Sequence, residues 1–274
     1  MQSDLPRPND ALLRCAHLSK RYVQGGWLSK NRREVQALKD VSLSVRAGST
    51  LALIGESGSG KSTLARCLTC LEKPDSGELW FAGRNVATLT HRERVAFQRQ
   101  IQIVFQEPAA SLNPRLNAIE IVSEPLLIAG ESKKQRHHRA LYLMRLVGLP
   151  DDSAKRLPSE FSGGQRRRLA IARALALEPS ILILDESLSG LDPSIQAQIS
   201  NLLTELQGTY HLTYVHISHD LDLVAHLADE IAVLHQGQIV EIVPASIGLA
   251  DLHDKFMGRL QKAARVSSFG AGLP

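Results

Sequence analysis

The stretch Leu51-Ala-Leu-Ile-Gly55-Glu-Ser-Gly58-Ser-Gly60-Lys61-Ser62-Thr63 decides how this chain is read, because an apolar run passes through a glycine-rich turn into a helix start. Gly55, Gly60, Lys61 and Ser62 satisfy the spacing G-x-x-x-x-G-K-[ST] of a P-loop. Glycine leaves room for successive backbone N–H groups to face phosphate oxygens with no Cβ in the way. A helix predicted over residues 62–71 aims its unsatisfied N-terminal amides at the same point, where an anion is favoured. Gly55, Glu56, Ser57, Gly58, Ser59, Gly60, Lys61, Ser62 and Thr63 are therefore the expected nucleotide cradle. Within it Lys61 would bridge β- and γ-phosphates and Ser62 would turn its hydroxyl to Mg²⁺. A merely structural glycine turn would not require the strand, the Lys-Ser pair and the helix start to coincide.

Composition bounds the rest. At 274 residues, 43% hydrophobic and 22% charged, the chain can bury a large α/β core and is not a disordered polymer. Aromatics are 4%, too few for extended base-stacking platforms, so no nucleic-acid partner is expected. The net charge of +4 gathers in clusters: Lys20-Arg21, Arg32-Arg33, Lys133 to Arg139 and Arg166-Arg167-Arg168. These read either as solvated faces or as surfaces facing acidic lipid or an acidic partner. No apolar run of about 18 residues occurs and the N-terminus lacks a signal-peptide pattern, so a cytoplasmic location is expected. Cys15, Cys67 and Cys70 make no disulfide framework. Cys67 and Cys70 form C-x-x-C, which reads better as small buried helix residues than as redox chemistry or half a metal site.

Residues 1–10 read as a loose leader, and a first strand is predicted over residues 12–16. Tyr22 is an aromatic placed to stack on an adenine ring. After a polar excursion over residues 25–33, strand pattern resumes over residues 35–46, with Val41, Leu43 and Val45 on one face. Residues 101–105 form a buried-strand candidate ending at Gln106, a neutral ligand for Mg²⁺ or water, and Pro108 and Pro114 break regular structure. From about residue 117 to 174 the period is helical. Inside that segment, Phe161-Ser162-Gly163-Gly164-Gln165 opens a helix and forms a second anion site from a hydroxyl and close amides. Ile181 to Leu184 is an apolar strand delivering Asp185 and Glu186 at its C-terminal end. Asp185 would hold Mg²⁺ through water, and Glu186 would polarise the attacking water. A helix is predicted over residues 194–207 after Asp192-Pro193. A strand over 213–217 leads to His219, which could reach a γ-phosphate, and a hairpin closes about His235-Gln236-Gly237.

Tyr22, the P-loop, Gln106, Phe161 to Gln165, Leu184 to Glu186, Ser189 to Asp192 and His219 follow one another as in an ABC-type ATPase, which the chain resembles over about residues 12–243. The resemblance implies an α/β P-loop NTPase fold with a core mixed sheet, an antiparallel β subdomain and an inserted helical subdomain. It implies one ATPase domain over residues 1–250, with core 11–113 and 175–243, helical subdomain about 114–174 and a tail over 251–274. It makes Tyr22 the adenine-stacking ring, Gln106 the loop glutamine touching metal and membrane subunit, Glu186 the general base and His219 the switch histidine. Ser162, Gly163, Gly164 and Gln165 then bind the γ-phosphate of a second protomer, and Asp192 contacts across the pair. ATP and Mg²⁺ are the implied cofactors.

Residues 105–115, Phe161 in place of a signature Leu, and the excursion after Tyr22 are similar to the peptide and nickel importer ATPases, second-subunit type. That implies two permease subunits, a second related ATPase (or a homodimer), an indirectly acting solute-binding protein, and a peripheral place on the cytoplasmic face of the plasma membrane. An alternative is a soluble ABC-type ATPase of an enzyme complex, such as one for phosphonate degradation. Ser187 and Gly190 depart from the commoner Pro and Ala of the family, which questions the rigidity of that turn. The peptide-type tail, with His-Pro-Tyr-Thr and a cysteine-rich segment, is not found, which weakens the case for peptide over nickel or another cargo, and an importer of peptides or nickel is expected.

Overall fold

The computed structural model describes residues 11–24, 33–106 and 111–246. The leader, most of the polar excursion, Pro108 and the tail from residue 247 lie outside the described residues. Two sheets carry the described chain. In the first, β1 (Ala11–Gln24), β2 (Arg33–Arg46), β4 (Ser76–Phe81) and β5 (Arg84–Asn85) pair antiparallel in the order β2-β1-β4-β5. The second is mixed, in the order β10-β9-β3-β8-β7-β6. Its members are β3 (Thr50–Ile54), β6 (Ile101–Val104), β7 (Ile181–Asp185), β8 (Thr213–Ile217), β9 (Glu230–His235) and β10 (Gln238–Pro244). Only the β9–β10 hairpin is antiparallel there. The mixed core sheet and separate antiparallel sheet are those expected from the sequence.

Strands β3, β7 and β8 are buried at every position, as parallel strands covered on both faces are. Alternation decides which core each residue joins. Leu51, Leu53, Ile181, Ile183, Val215 and Ile217 face α1 (Lys61–Leu68) and the inner side of the antiparallel sheet, where Val41, Leu43 and Val45 lie together. Leu182, Leu184 and Tyr214 face the helices on the other side. Those helices are α3 (Ala118–Ile128), α4 (Lys133–Leu146), α5 (Gly163–Leu175) and α6 (Pro193–Tyr210), following α2 (His91–Gln100) in the chain. Capping boxes at Asn117–Glu120, Ser132–Gln135 and Ser162–Gln165 open α3, α4 and α5, satisfying amides that a bare helix start leaves unpaired. Ile121, Val122, Met144 and Val147 are buried as their spacing predicts, while Ile119, Leu141 and Leu146 pack at the rim of that core.

Several boundaries move for identifiable reasons. β1 runs to Gln24, well past residue 16, because β2 pairs with it as far as Arg33. Helix α1 stops at Leu68, short of residue 71: Thr69 caps it and Cys70 takes a left-handed φ of 55°. Cys67 is therefore a buried helix residue, but Cys70 lies past the helix end and is half-buried. Burial pushes the Cys67 thiol up to about 11 and that of Cys15 up to about 12, so both are poor nucleophiles at neutral pH.

His216 on β8 lies between Ala52 of β3 and Leu184 of β7 and is 1% exposed. Neither ring nitrogen has a hydrogen-bond partner among the described residues. Burial pulls its pKa from 6.5 down to about 4, against a weaker upward pull from Asp220. Between those values the unfolded chain binds the extra proton, so this contribution is complete above pH 6.5 and is lost as pH falls toward 4. The loss can reach ~3 kcal/mol. His216→Leu, which removes the titrating group, should flatten the acid limb of urea-unfolding stability plotted against pH; an unaltered slope would take His216 out of that role.

Candidate active site

The loop from Gly55 to Gly60 leaves β3 and enters α1 under tight steric limits. A Cβ on Gly55 would sit 2.2 Å from the main-chain oxygen of Leu234, and one on Gly60, at φ 108°, would sit 2.3 Å from that of Ala37. Gly237 N donates to Ser59 O at 2.9 Å and Lys39 N to Gly237 O at 2.7 Å, so the β9–β10 turn and β2 hold the loop from outside. No side chain caps α1, and the first amides of a helix have no intrahelical acceptor, which leaves them to an anion.

Beside this loop is a cleft of about 550 Å³. Its floor carries the charged groups. Lys61 is 5% exposed and donates to Gly55 O at 2.8 Å and Glu56 O at 3.0 Å, with Glu186 Oε1 at 3.9 Å. Burial lowers the Lys61 pKa, and the charges of Glu186 and Asp185 oppose that. Burial raises the Asp185 pKa, outweighing the hydrogen bond that Ser62 Oγ donates to Asp185 Oδ1 at 3.3 Å. Gln106 Nε2 donates to Glu186 Oε2 at 2.7 Å, and His219 Nδ1 stands 3.8 Å from the same oxygen. Glu186 itself adopts a left-handed φ of 44°, held by its N–H donating to Ile217 O at 3.0 Å. A carboxylate so fixed can accept a proton from water at a neighbouring phosphorus. The hydroxyl of Ser62, the carboxylate of Asp185 and the amide oxygen of Gln106 are the oxygen donors that a hard cation takes, so the residues fit Mg²⁺.

Tyr22 lies at the cleft's edge, paired across strands with Val35, and its hydroxyl donates to Glu72 Oε2 at 2.5 Å. Its ring is thus held as a fixed apolar surface, with the Lys20 ammonium 5.6 Å from the centroid. Gln36, Ala37, Lys39 and Gln236 also line the cleft. The sequence reading missed these residues. The β1–β2 register opposite Tyr22 and the glycine turn after β9 are the signals that lead to them.

None of Ser162, Gly163, Gly164, Gln165 or Asp192 lines this cleft. Ser162 and Gly163 are exposed at the start of α5, where Ser162 Oγ accepts from Gln165 N at 3.2 Å and Gln165 Oε1 accepts from Ser162 N at 3.0 Å. Asp192 is exposed at the start of α6. Ser162 to Gln165 therefore form a capping box at the start of α5, outside the cleft beside this chain's own P-loop.

Two basic clusters differ from a solvated face. Arg166, Arg167 and Arg168 donate to the main-chain oxygens of Phe161 at 2.7 Å, Gln106 at 2.8 Å and Val147 at 2.7 Å. Lys20 is 15% exposed and spans Lys73 O at 2.8 Å and the Glu72 and Asp75 carboxylates, each at 3.4 Å. Most of this charge ties chain segments together instead of facing lipid.

The profile of the ABC transporter family matches residues 38–189, more than half of the chain. The chain belongs to the ABC transporter ATP-binding family. It is 49% identical over 238 residues to a Sinorhizobium fredii protein named probable peptide ABC transporter ATP-binding protein y4tS, covering 86% of this chain and 67% of that one. To the dipeptide transport ATP-binding protein DppF of Escherichia coli it is 46% identical over 231 residues, covering 84% and 69%. To the oligopeptide transport ATP-binding protein OppD of Mycobacterium tuberculosis it is 48% identical over 232 residues, but spans 38% of that longer protein. Among solved structures, the ATP-binding cassette MJ0796, in a dimeric post-hydrolysis state bound to ADP and Pi, superimposes with a TM-score of 0.75 at 31% identity, over 85% of this chain and 98% of that one. The chain is thus an ATP-binding ABC ATPase.

The loop's dependence on close backbone approach is testable. Gly48→Ala places a side chain at φ 71° with nothing within 4 Å, and its cost should be the ~1–2 kcal/mol of a left-handed alanine. Gly60→Ala adds a collision with backbone that cannot rotate away. Gly60→Ala should therefore lower the melting temperature clearly more than Gly48→Ala; equal losses would show that the approach to Ala37 is not tight.

Proposed function

We propose that this chain is the ATP-binding and ATP-hydrolysing subunit of an ABC importer that carries peptides. The observation that carries the reading is the division of the chemistry: Glu186 stands between Gln106, Lys61 and His219, while Ser162 to Gln165 and Asp192 lie outside the cleft. One chain therefore presents two half-sites, and two chains set head to tail complete both.

In this reading Tyr22 stacks on adenine and the amides of residues 55–63 surround the phosphates. Lys61 exchanges its bonds to Gly55 O and Glu56 O for β- and γ-phosphate oxygens. Ser62, Asp185 and Gln106 would hold Mg²⁺, which supplies positive charge against the phosphate oxygens. Glu186 takes the proton of the attacking water, and His219 reaches the γ-phosphate from the exposed side of the cleft. Ser162, Gly163, Gly164, Gln165 and Asp192 serve the ATP of the facing chain. The charged cluster explains why water is needed only at one point: Lys61 and Asp185 are shielded, and the exposed side is closed by the second chain.

The relatives quoted above are named for peptides, which favours peptide over nickel as cargo and does not favour a soluble enzyme complex such as phosphonate degradation. ABC ATP-binding subunits of importers work with membrane permeases. Here we infer two permeases, a second related ATPase and, indirectly, a solute-binding protein. Among the described residues no helix is long and apolar enough to cross a membrane, and attachment at the cytoplasmic face would come through the permeases. We read residues 1–250 as one cassette, with the core in 11–113 and 175–243 and the helical subdomain over about 114–174.

Glu186→Gln should bind ATP normally and hydrolyse it on the order of 10² to 10⁴ times more slowly, because an amide accepts no proton. Phosphate release at the unmodified rate would remove Glu186 as the base. Specific activity of the unmodified chain should rise with protein concentration, and Ser162→Arg, remote from its own P-loop, should suppress that rise. A concentration-independent rate untouched by Ser162→Arg would rule out the shared sites.

A further inference from the structure

Arg167 is 4% exposed on α5, five residues beyond the Ser162 cap. Its Nη1 donates to the main-chain oxygens of Gln106 at 2.8 Å and Phe105 at 3.4 Å, and its Nη2 to that of Ser189 at 3.5 Å. Burial draws its pKa down to about 10 with no opposing carboxylate among the described residues, yet it remains a cation at neutral pH. A guanidinium buried against carbonyls costs stability that charge-assisted bonds only partly offset, and simple packing could be met by an uncharged chain.

Its partners supply a reason for the charge. Gln106, held through its carbonyl, donates its side chain to Glu186 Oε2 at 2.7 Å. Ser189, also held through its carbonyl, donates its N–H to Glu186 O at 3.1 Å. The bonds form a closed circuit from Arg167 through Gln106, Glu186 and Ser189 back to Arg167. The circuit has one rigid member, the helix that begins at Ser162. A displacement of Gln106 or of the turn after Glu186 is therefore transmitted to α5 through a fork that a single-point donor cannot replace.

We propose that Arg167 is a positioning residue that couples the Gln106–Glu186 pair of this chain's own cleft to the N-terminus of α5, so that nucleotide in one half-site is felt at the other. The proposal deepens the two-half-site reading and rests on it. Arg167 touches neither nucleotide nor water; it acts through the loops it holds.

The test is hydrogen–deuterium exchange on the full chain, at a concentration where light scattering shows it monomeric with nucleotide, with and without AMP-PNP and Mg²⁺, comparing the unmodified protein with Arg167→Gln and Arg167→Lys. In the unmodified protein, nucleotide should slow exchange both in residues 55–68 and in residues 163–170. With Arg167→Gln the P-loop response should persist while the response of residues 163–170 is lost; Arg167→Lys, with charge but no fork, should retain part of it. An undiminished response at 163–170 in Arg167→Gln overturns the coupling. No response at residues 55–68 in the unmodified protein would instead overturn the nucleotide reading, and the coupling with it. Steady-state ATPase rates separate positioning from mere structure. Arg167→Gln should lower kcat about tenfold with KM within about twofold, and should cost clearly less in a Gln106→Ala background, where only the Ser189 arm of the circuit still reaches Glu186. Additive losses would mean that Arg167 acts through general stability. If Arg167→Gln fails to fold, Arg167→Lys carries both measurements, with a partial loss supporting the proposal and no loss opposing it.

Discussion

Lys61, Asp185 and Glu186 meet at the C-terminal ends of two parallel strands, and keeping three ionisable groups together in a water-poor floor constrains everything around them. Burial works against charge on Lys61 and Asp185 alike, so each depends on the opposite charge and on nearby hydrogen bonds. Those partners must arrive from separate parts of the chain: a loop carbonyl, the Ser62 hydroxyl, the Gln106 amide. Glu186 shows the cost, since a non-glycine residue at φ 44° is strained and is kept there by its bond to Ile217 on the next strand.

The same demand explains the external bracing of the P-loop. A loop that presents amides to an anion cannot also spend them on itself, so its shape is imposed by neighbours. Leu234 O and Ala37 O press on Gly55 and Gly60, and the turn at Gly237 bonds to both Ser59 and Lys39. The antiparallel sheet thus has two tasks. Through Tyr22 and Val35 it walls the cleft, and through Ala37 and Lys39 it sets the loop.

The basic residues carry a related lesson about reading charge in one dimension. Arg166-Arg167-Arg168 looks like a surface patch, but helical geometry sends the three side chains in three directions, each ending on a carbonyl. Helix α5 is joined by these contacts to the Phe161 turn, to the Gln106 loop and to the end of α4. Charge spent on backbone oxygens adds to the net count without creating an electrostatic surface. Sequence cannot distinguish the two uses because the acceptors are main-chain atoms, two of the three distant in the chain.

Local chemistry made much of the rest legible. The P-loop spacing, the apolar runs before Gly55 and Asp185, the helix start at Ser162 and the turn at His235-Gln236-Gly237 each depend on residues within a few positions of one another. For that reason they could be read directly, as could the helical period after residue 117, while the mixed sheet and antiparallel sheet were implied by the family resemblance. The length of β1 and the early end of α1 were not legible, since one depends on pairing with β2 and the other on the backbone conformation at Cys70. By itself, then, the sequence determined which chemical groups the chain carries and which elements present them. Tertiary structure alone decided which groups share a cleft: Gln106 with Glu186, Lys39 and Gln236 beside the P-loop, Arg167 beneath the Gln106 loop, and Ser162 outside it. Those relations join residues tens of positions apart, and only strand order and register bring them within bonding distance.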